Sequence, residues 1–450
     1  MSQENTPVSS TKDLNRCLGK KELYSISFGH IIGSGIFSLV GVGIAMTGKS
    51  VFLGMLVSVI IVLMQALPLI LMSGTVRLRG GFYSIVATMW GEKYAGFYII
   101  IYFCANISLA MYAISFAEYL QGIFPGVPVT LVSFLVLTFF FIMNLLGVEG
   151  AAKLEIVMDV IMAVALTLFI VYGLPQVDYE NFFTSDFLTS GPVGLLSCGV
   201  LLTWATAGAS DMINLSAEAK NPTKDLPQVI VVATLAIAVF YGLIAVVAAG
   251  VLPVSATADQ PLNVVAEVIF PRPVYLFFVI FGALLALSTT LNASFAWVTK
   301  PILQACNDGW LPKKLGYIHP KFKTPVIILA IFYVIGLLPI FLGFNIGMIA
   351  DMTVLLNNIL FIFICYGAAF MPKRIPELWA ASKFHCSNTK LQIAALIGGF
   401  SAVISVALLM TEITTSQIIG TCVITVIAVI YAILRHKTGQ VDMQISYEET

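Results

Sequence analysis

The chain has 450 residues, of which 59% are hydrophobic and only 10% are charged, and its 23 Lys and Arg balance 23 Asp and Glu. Soluble domains carry about 25% charged residues, so this composition excludes a water-soluble globule and predicts a chain surrounded largely by lipid. The zero net charge gives no indication of nucleic-acid binding.

The length of each apolar run predicts the membrane-spanning helices, because a helix needs about 20 residues to cross the hydrocarbon core. The sequence predicts an all-α polytopic membrane protein with twelve transmembrane helices. A polar turn at Thr411 and Glu412 separates the last two. The predicted spans lie near residues 23–46, 51–75, 95–122, 128–147, 153–174, 193–216, 226–251, 273–303, 325–345, 351–371, 390–411 and 415–434.

The distribution of basic residues predicts the orientation. With the N-terminus inside, every Lys and Arg except Lys49 and Arg272 falls on an inner loop or an inner helix end. This bias follows the positive-inside rule and favours an even number of spans. We therefore expect a multi-pass protein of the plasma (inner or cell) membrane. Its N-terminal tail (1–22) and C-terminal tail (435–450) are both predicted to be cytoplasmic, and the first span lacks the pattern of a cleaved signal peptide.

The first predicted span contains the stretch HIIGSGIFS (30–38), in which two glycines flank a serine. Glycine costs about 1 kcal/mol relative to alanine inside a helix. Irregular backbone at membrane depth is tolerated only where it lines a cavity inside the protein. A break here exposes amide groups that suit a carboxylate and carbonyl groups that suit an ammonium. Close packing of helices through small residues is the alternative.

The sixth predicted span contains a similar stretch, TWATAGASD (203–211). Paired interruptions in corresponding spans of two halves indicate a transporter binding site. This pairing predicts a first five-helix repeat at 23–174, a second and inverted five-helix repeat at 193–371, and two extra helices at 390–434.

Four segments carry a family resemblance: HIIGSGIF (30–37), RGGFYSIV (79–86), AEAKNPTKDLP (217–227) and LSTTLNASFAWVTKPILQACNDGWLPK (287–313). In order and spacing they resemble the amino acid/polyamine/organocation (APC) transporter superfamily, in particular its amino acid permeases. The resemblance implies a five-plus-five inverted repeat with discontinuous helices 1 and 6, followed by two further helices.

The resemblance also implies a binding site, because members of this superfamily hold amino acids by backbone groups at the two breaks. It implies that Gly33, Ser34 and Gly35 hold the substrate carboxylate. Carbonyls near Ile31, Trp204, Ala205 and Ala207 are implied to hold the ammonium. Trp204 stands where members often keep an aromatic residue that closes over the substrate. The predicted substrate-binding set is Ile31, Gly33, Ser34, Gly35, Trp204, Ala205, Ala207 and Gly208.

Coupling residues are less clearly marked. Many members carry a buried lysine in the fifth span that replaces a sodium ion, and Met162 stands there in this chain. Asp159 and Asp211 are candidates for ion or proton handling, with structural pairing as the alternative. Asp211 is also a candidate for recognising a second amino group. Ser288 and Thr289 are candidate sodium ligands, unless their hydroxyls bond back to their own helix.

Enzyme chemistry is not predicted, because the chain lacks the common metal, nucleophile and nucleotide motifs. No resident cofactor or metal is expected, and coupling to Na⁺ or H⁺ stays open. The predicted function is a secondary active transporter that moves amino acids by alternating access, as a symporter or an exchanger. A polyamine or amine exchanger and a non-transporting amino acid sensor are the alternatives. The expected partners are a small amino acid and the lipid bilayer, without nucleic acid.

Overall fold

A computed structural model describes residue 16 and residues 18–146, 151–322, 324–443 and 447–448. The side chains of 34, 151–157 and 296 lie outside this description. Most of the predicted N-terminal tail (1–22) and parts of the predicted C-terminal tail (435–450) also lie outside the described residues. The described chain is almost wholly helical, apart from two strands of two residues each.

The first part of the chain contains eight helices and one strand within its described residues. Short 3₁₀ turns follow α2, α5 and α8, at Gly48–Ser50, Asn106–Ser108 and Leu174–Gln176. The elements are α1 (Lys20–Ile31), α2 (Ser34–Thr47), α3 (Val51–Ser73), β1 (Arg77–Leu78), α4 (Phe82–Trp90), α5 (Glu92–Ala105), α6 (Leu109–Ile123), α7 (Val129–Leu146) and α8 (Ala151–Gly173).

The second part continues with longer helices and several short connecting ones. Segments with 3₁₀ geometry lie at Ala207–Leu215, Lys313–Gly316 and Ala368–Phe370, and a π-helical segment lies at Phe278–Leu284. The elements are α9 (Gly191–Thr206), α10 (Pro222–Gly250), α11 (Val254–Thr257), α12 (Asn263–Ile269), α13 (Arg272–Phe277), α14 (Leu285–Asn307), α15 (Val326–Leu342), α16 (Ile346–Gly367), α17 (Met371–Arg374), α18 (Pro376–Ala381), α19 (Asn388–Glu412), α20 (Thr415–Lys437) and β2 (Tyr447–Glu448).

Ten helical stretches among the described residues are long and apolar enough to cross a membrane. The first of them, Lys20–Ser73, contains α1, α2 and α3, and α15 is apolar but shorter. Large apolar side chains on the outer faces are exposed, such as Phe139 on α7 and Val426 on α20, as expected for contact with lipid. The chain is therefore a multi-pass helical membrane protein.

The backbone is irregular at both glycine-containing stretches. Helix α1 ends at Ile31 and α2 begins at Ser34, so Ile32 and Gly33 form the interruption. Helix α9 ends at Thr206, and the nine residues that follow have 3₁₀ geometry. A 3₁₀ stretch of this length is uncommon and often marks a functional position in a helix.

Several boundaries differ from those read in the sequence. The nine-residue helix α4 precedes the third apolar run, and that run is itself interrupted at Asn106–Ser108. Helix α16 begins at Ile346 rather than near residue 351, because the Asn345 side chain accepts the Met348 N–H at 2.8 Å and caps the helix. The apolar run alone does not show such a cap.

Candidate functional site

The two interrupted segments touch through a glycine. A Cβ atom placed on Gly35 of α2 meets the Cα atom of Ala205 on α9 at 2.5 Å, closer than real contacts allow. Ala205 is buried in this contact. Glycine at position 35 is therefore required for the close approach of α2 to α9.

A second glycine contact lies at the break itself. A Cβ on Gly33 meets the Thr290 Oγ1 atom of α14 at 2.6 Å. The break is thus held between α9 on one side and α14 on the other. Both glycines have a packing role in addition to any role in binding.

The amino end of α2 carries free backbone donors. Gly33 is its N-cap residue, and no side chain among the described residues caps the helix there. The first N–H groups of an α-helix have no acceptor within the helix, and the helix dipole adds partial positive charge at that end. This end of α2 can accept an anionic group such as a carboxylate.

The carbonyl groups at the end of α1 already have hydroxyl partners. Tyr241 donates its hydroxyl to the Ile31 carbonyl at 2.8 Å. The Thr290 hydroxyl lies 3.3 Å from the Gly29 carbonyl and 2.8 Å from the Ala286 carbonyl of its own helix. A carbonyl oxygen has two lone pairs, so each retains one position for a further donor. The predicted contact of Ile31 with an ammonium therefore requires that second position.

A cavity lies between the interrupted segments and the neighbouring helices. Its walls combine aromatic rings with amide side chains and with the backbone of the glycine-containing stretches. The lining residues that bear on binding are His30, Ile31, Gly33, Gly35, Gln65, Phe82, Tyr98, Tyr102, Asn106, Tyr112, Trp204, Ala207, Gly208, Asp211, Asn214, Trp297, Asn357, Asn358 and Phe361.

The structure brings most of the predicted substrate-binding residues to this cavity. Two of them differ: Ala205 packs against Gly35, and Ser34 begins α2 with its side chain outside the described part of the chain. The predicted residues that line the cavity are Ile31, Gly33, Gly35, Trp204, Ala207, Gly208 and Asp211.

Apart from Trp204, the aromatic side chains of the cavity were not predicted from the sequence. Tyr98 and Tyr102 stack with ring centroids 5.5 Å apart, and Tyr112 lies 6.2 Å from Trp204. Tyr98 and Tyr102 are four residues apart and so share one helix face, which was the available signal. Trp297 on α14 completes this aromatic group and gave no local signal.

Four of the five candidate coupling residues lie outside the cavity lining. Ser25 donates its hydroxyl to Asp159, and Met162 is fully buried. Ser288 donates to the Leu284 carbonyl at 2.7 Å and Thr289 donates to the Ala286 carbonyl at 2.9 Å, within their own helix. The described structure therefore places none of these four residues in the lining of the cavity.

Asp211 does line the cavity and contacts His30. The His30 Nε2 atom lies 3.2 Å from Asp211 Oδ2, and the imidazole packs edge-on against Trp297. The contact joins α1 to the 3₁₀ segment after α9, one helical turn from the break. The sequence marked Asp211 as a candidate without predicting that it pairs with His30.

Arg77 lies two residues before the segment RGGFYSIV (79–86) and contacts the segment AEAKNPTKDLP (217–227). Its guanidinium donates to the Ala219 carbonyl at 2.6 Å and to the Ala217 carbonyl at 3.3 Å. Burial lowers the pKa of Arg77, as does the nearby Arg16 charge, while the Glu448 carboxylate raises it. The loop before α4 is thus tied to the loop after the 3₁₀ segment.

Gly81 makes a second contact between these loops. Its φ of +57° lies in the left-handed region, and a Cβ there meets Asn214 Oδ1 at 2.0 Å. The Asn214 side chain accepts the Phe82 N–H at 3.2 Å and satisfies a free donor at the start of α4. Glycine is required here both for the backbone conformation and for the approach.

The Glu448 carboxylate lies within 4 Å of three arginine side chains. It accepts from Arg16 and from Arg79 at 3.1 Å, and lies 3.9 Å from Arg77. Strand β2 pairs antiparallel with β1, with Glu448 opposite Arg77. Lys300 on α14 also pairs with Glu218. These contacts connect the two ends of the described chain to the motif loops.

A multi-pass helical protein in which two interrupted helices meet at a polar and aromatic cavity has the construction of a membrane transporter. A sequence model of the family described as Amino acid permease matches residues 18–434. The chain therefore belongs to the amino acid permease family of the APC superfamily, which confirms the resemblance seen in the sequence. This is a family of transporters, in agreement with the prediction of a function other than catalysis.

Characterised relatives show how far function varies within this similarity. The chain is 26% identical over 343 residues to the branched-chain amino acid permease of Bacillus subtilis, covering 71% of this chain and 73% of the relative. It is 25% identical over 349 residues to that of Lactococcus lactis, covering 69% and 72%. It is also 24% identical over 341 residues to the methylthioribose transporter of Bacillus subtilis, covering 70% and 73%.

Proposed function

We propose that the protein is a secondary active transporter that moves amino acids across the plasma membrane by alternating access, as a symporter or an exchanger. The observation that carries this proposal is the meeting of two interrupted helices at one cavity, with Gly35 of α2 against Ala205 of α9. Family membership and the similarity to branched-chain amino acid permeases support the same substrate class.

The proposed architecture has twelve transmembrane helices. The first five-helix repeat (23–174) comprises α1 with α2, α3, α5 with α6, α7 and α8. The inverted second repeat (193–371) comprises α9, α10, α13 with α14, α15 and α16. Helices α19 and α20 (390–434) follow, and both tails are cytoplasmic. In this arrangement the interrupted segments are the equivalent first members of the two repeats.

The proposed binding mode uses backbone groups. The amides of Gly33, Ser34 and Gly35 hold the substrate carboxylate at the positive end of α2. Carbonyls of Ile31, Trp204, Ala205 and Ala207 hold the α-ammonium, with Gly208 leaving space beside them. The Ala205 side chain packs against Gly35, so it is not available to contact the substrate.

Counterflow in liposomes tests the proposal. Purified protein preloaded with unlabelled amino acid is expected to accumulate labelled leucine, valine or lysine in a saturable manner. Imposing a sodium or a proton gradient in turn identifies the coupling ion. Repeating this with substitutions at Asp159, Met162, Ser288 and Thr289 tests these residues as coupling positions. Binding without flux would indicate a sensor, and neither binding nor flux for any protein amino acid would refute the proposal.

A second candidate function is favoured by Asp211. A carboxylate in the cavity suits a diamine or another amine that lacks a carboxylate of its own. For such an amine exchanger, putrescine or agmatine must drive counterflow better than any amino acid. The same liposomes therefore separate the two candidates.

A further inference from the structure

The charge of the cavity is unbalanced. Asp211 is the one formally charged side chain in the lining that the structure describes, and neither Lys nor Arg is present there. The Asp211 side chain retains 31% exposure, whereas His30 retains 7%. A carboxylate at membrane depth costs about 2.5–3.5 kcal/mol, so it requires a partner.

His30 does not supply a permanent positive charge. Its ring is charged only when protonated, and its Nδ1 atom is buried without a hydrogen-bond partner among the described residues. Its Nε2 atom contacts only one of the Asp211 carboxylate oxygens, Oδ2. The other carboxylate oxygen keeps its capacity to accept hydrogen bonds, and a carboxylate has about four lone-pair positions.

The surrounding rings also favour a cation. Tyr98, Tyr102 and Trp297 line the same cavity as Asp211, and Trp297 packs against the paired His30. Cations bind favourably over the faces of aromatic rings, and more strongly when they are removed from water. A carboxylate among aromatic rings is a combination suited to an ammonium or a guanidinium group.

Asp211 and the amino end of α2 line the same cavity. His30, whose ring contacts Asp211, precedes Gly33 by three residues, about 4.5 Å along a helix axis. A lysine ε-ammonium is carried on a flexible four-carbon stem, so it can extend to a second group in the cavity while the α-carboxylate stays at the amides of α2.

We infer that Asp211, with His30 beside it, is the specificity subsite for a cationic side chain, and that the preferred substrates are amino acids of the lysine, ornithine and arginine class. This inference rests on the proposed function, because it assumes that the α-carboxylate binds at α2. It assigns to Asp211 a task that neutral branched-chain substrates do not require.

The test compares lysine with norleucine, which has the same carbon chain and lacks the ε-ammonium. Binding to the purified wild-type protein is measured by thermal stabilisation, and transport is measured by counterflow in liposomes. A hydrogen-bonded charge pair predicts that lysine binds about tenfold or more tightly than norleucine. Asp211→Asn is expected to remove this preference, so that the ratio of lysine affinity to norleucine affinity falls by about tenfold or more.

Asp351→Asn is the matched control, because Asp351 lies on the apolar helix α16 and outside the cavity lining. It is expected to keep the preference for lysine. If Asp211→Asn fails to fold, the comparison of the two ligands on the wild-type protein still decides the question.

Two results overturn the inference while leaving amino acid transport intact. One is wild-type counterflow of norleucine or leucine that equals or exceeds that of lysine. The other is an Asp211→Asn variant that loses lysine and norleucine equally, which assigns Asp211 to the α-ammonium. Absence of counterflow for every amino acid tested on the wild-type protein refutes the proposed function itself.

Discussion

The His30 imidazole and the Asp211 carboxylate lie 3.2 Å apart and connect the two interrupted segments of the protein. His30 is on α1, one turn before the break, and Asp211 is on the 3₁₀ segment that follows α9. The contact lies on the wall of the cavity, so it bears on both stability and binding.

Removing the imidazole is expected to destabilise the protein. His30→Leu leaves Asp211 without its described partner, and loss of a hydrogen bond to a buried polar group costs about 1–3 kcal/mol. His30→Gln retains a donor and is expected to cost less. Thermal unfolding of both variants in detergent checks this order, and equal melting temperatures would show that the contact contributes nothing.

Gly35→Ala is expected to separate α2 from α9. The added Cβ falls 2.5 Å from the Ala205 Cα atom, which belongs to the backbone and cannot rotate away. Overpacking of this kind costs about 1–3 kcal/mol, and we expect a lower melting temperature together with loss of substrate binding.

Gly242→Ala is the control for this substitution. Gly242 lies within α10, and a Cβ there meets no atom within 4 Å in the described structure. Alanine is favoured over glycine inside a helix by about 0.5–1 kcal/mol, so stability is expected to stay the same or rise. Equal effects of the two substitutions would contradict the assigned contact.

A double-substitution cycle tests the second glycine contact. Gly33→Ala places a methyl group against the Thr290 side chain, and Thr290→Ala removes the atoms that it meets. The pair is expected to be more stable than the sum of the single changes predicts, with a coupling of about 0.5–3 kcal/mol. Additive changes in the unfolding free energy would show that the two residues do not touch.

Glu448→Gln is expected to loosen the pairing of β2 with β1. The change removes the carboxylate charge that contacts the exposed Arg16 and the partly exposed Arg79, and that lies 3.9 Å from the buried Arg77. Surface ion pairs contribute about 1 kcal/mol or less, so global stability changes little. Faster amide exchange at Arg77 and Leu78 is the expected signal, and Glu377→Gln on α18 serves as the control.

Much of the fold could be predicted because lipid imposes length and hydropathy on each helix. Helix α7 spans Val129–Leu146, and the prediction placed this run at 128–147. Helix α4 was missed because its nine residues are too few for a membrane span and lie directly before the next span. Its amino end depends on Asn214, which is distant in sequence.

The parts of the site at which glycine interrupts a helix could be predicted from the sequence. The side chains that reach the site from continuous helices could not, because their position around the helix axis decides which of them face it. Ser288, Thr289 and Thr290 are adjacent hydroxyls, but each residue turns the helix by about 100°, and of these three only Thr290, besides contacting its own helix, lies within hydrogen-bond distance of the Gly29 and Ile32 carbonyls in the described structure. Tyr98, Tyr102, Tyr112 and Trp297 were missed for a similar reason, because aromatic residues in membrane helices also face lipid or the core.

The most direct test of the central claim is a cryo-electron microscopy structure with a transported amino acid bound. The claim is that the two interrupted helices hold the substrate between their ends. It predicts density for the substrate carboxylate about 2.9 Å from the amides of Gly33, Ser34 and Gly35, at the start of α2. Substrate density away from Gly33 and Gly35, or a first span that is continuous through Ile32, would contradict it.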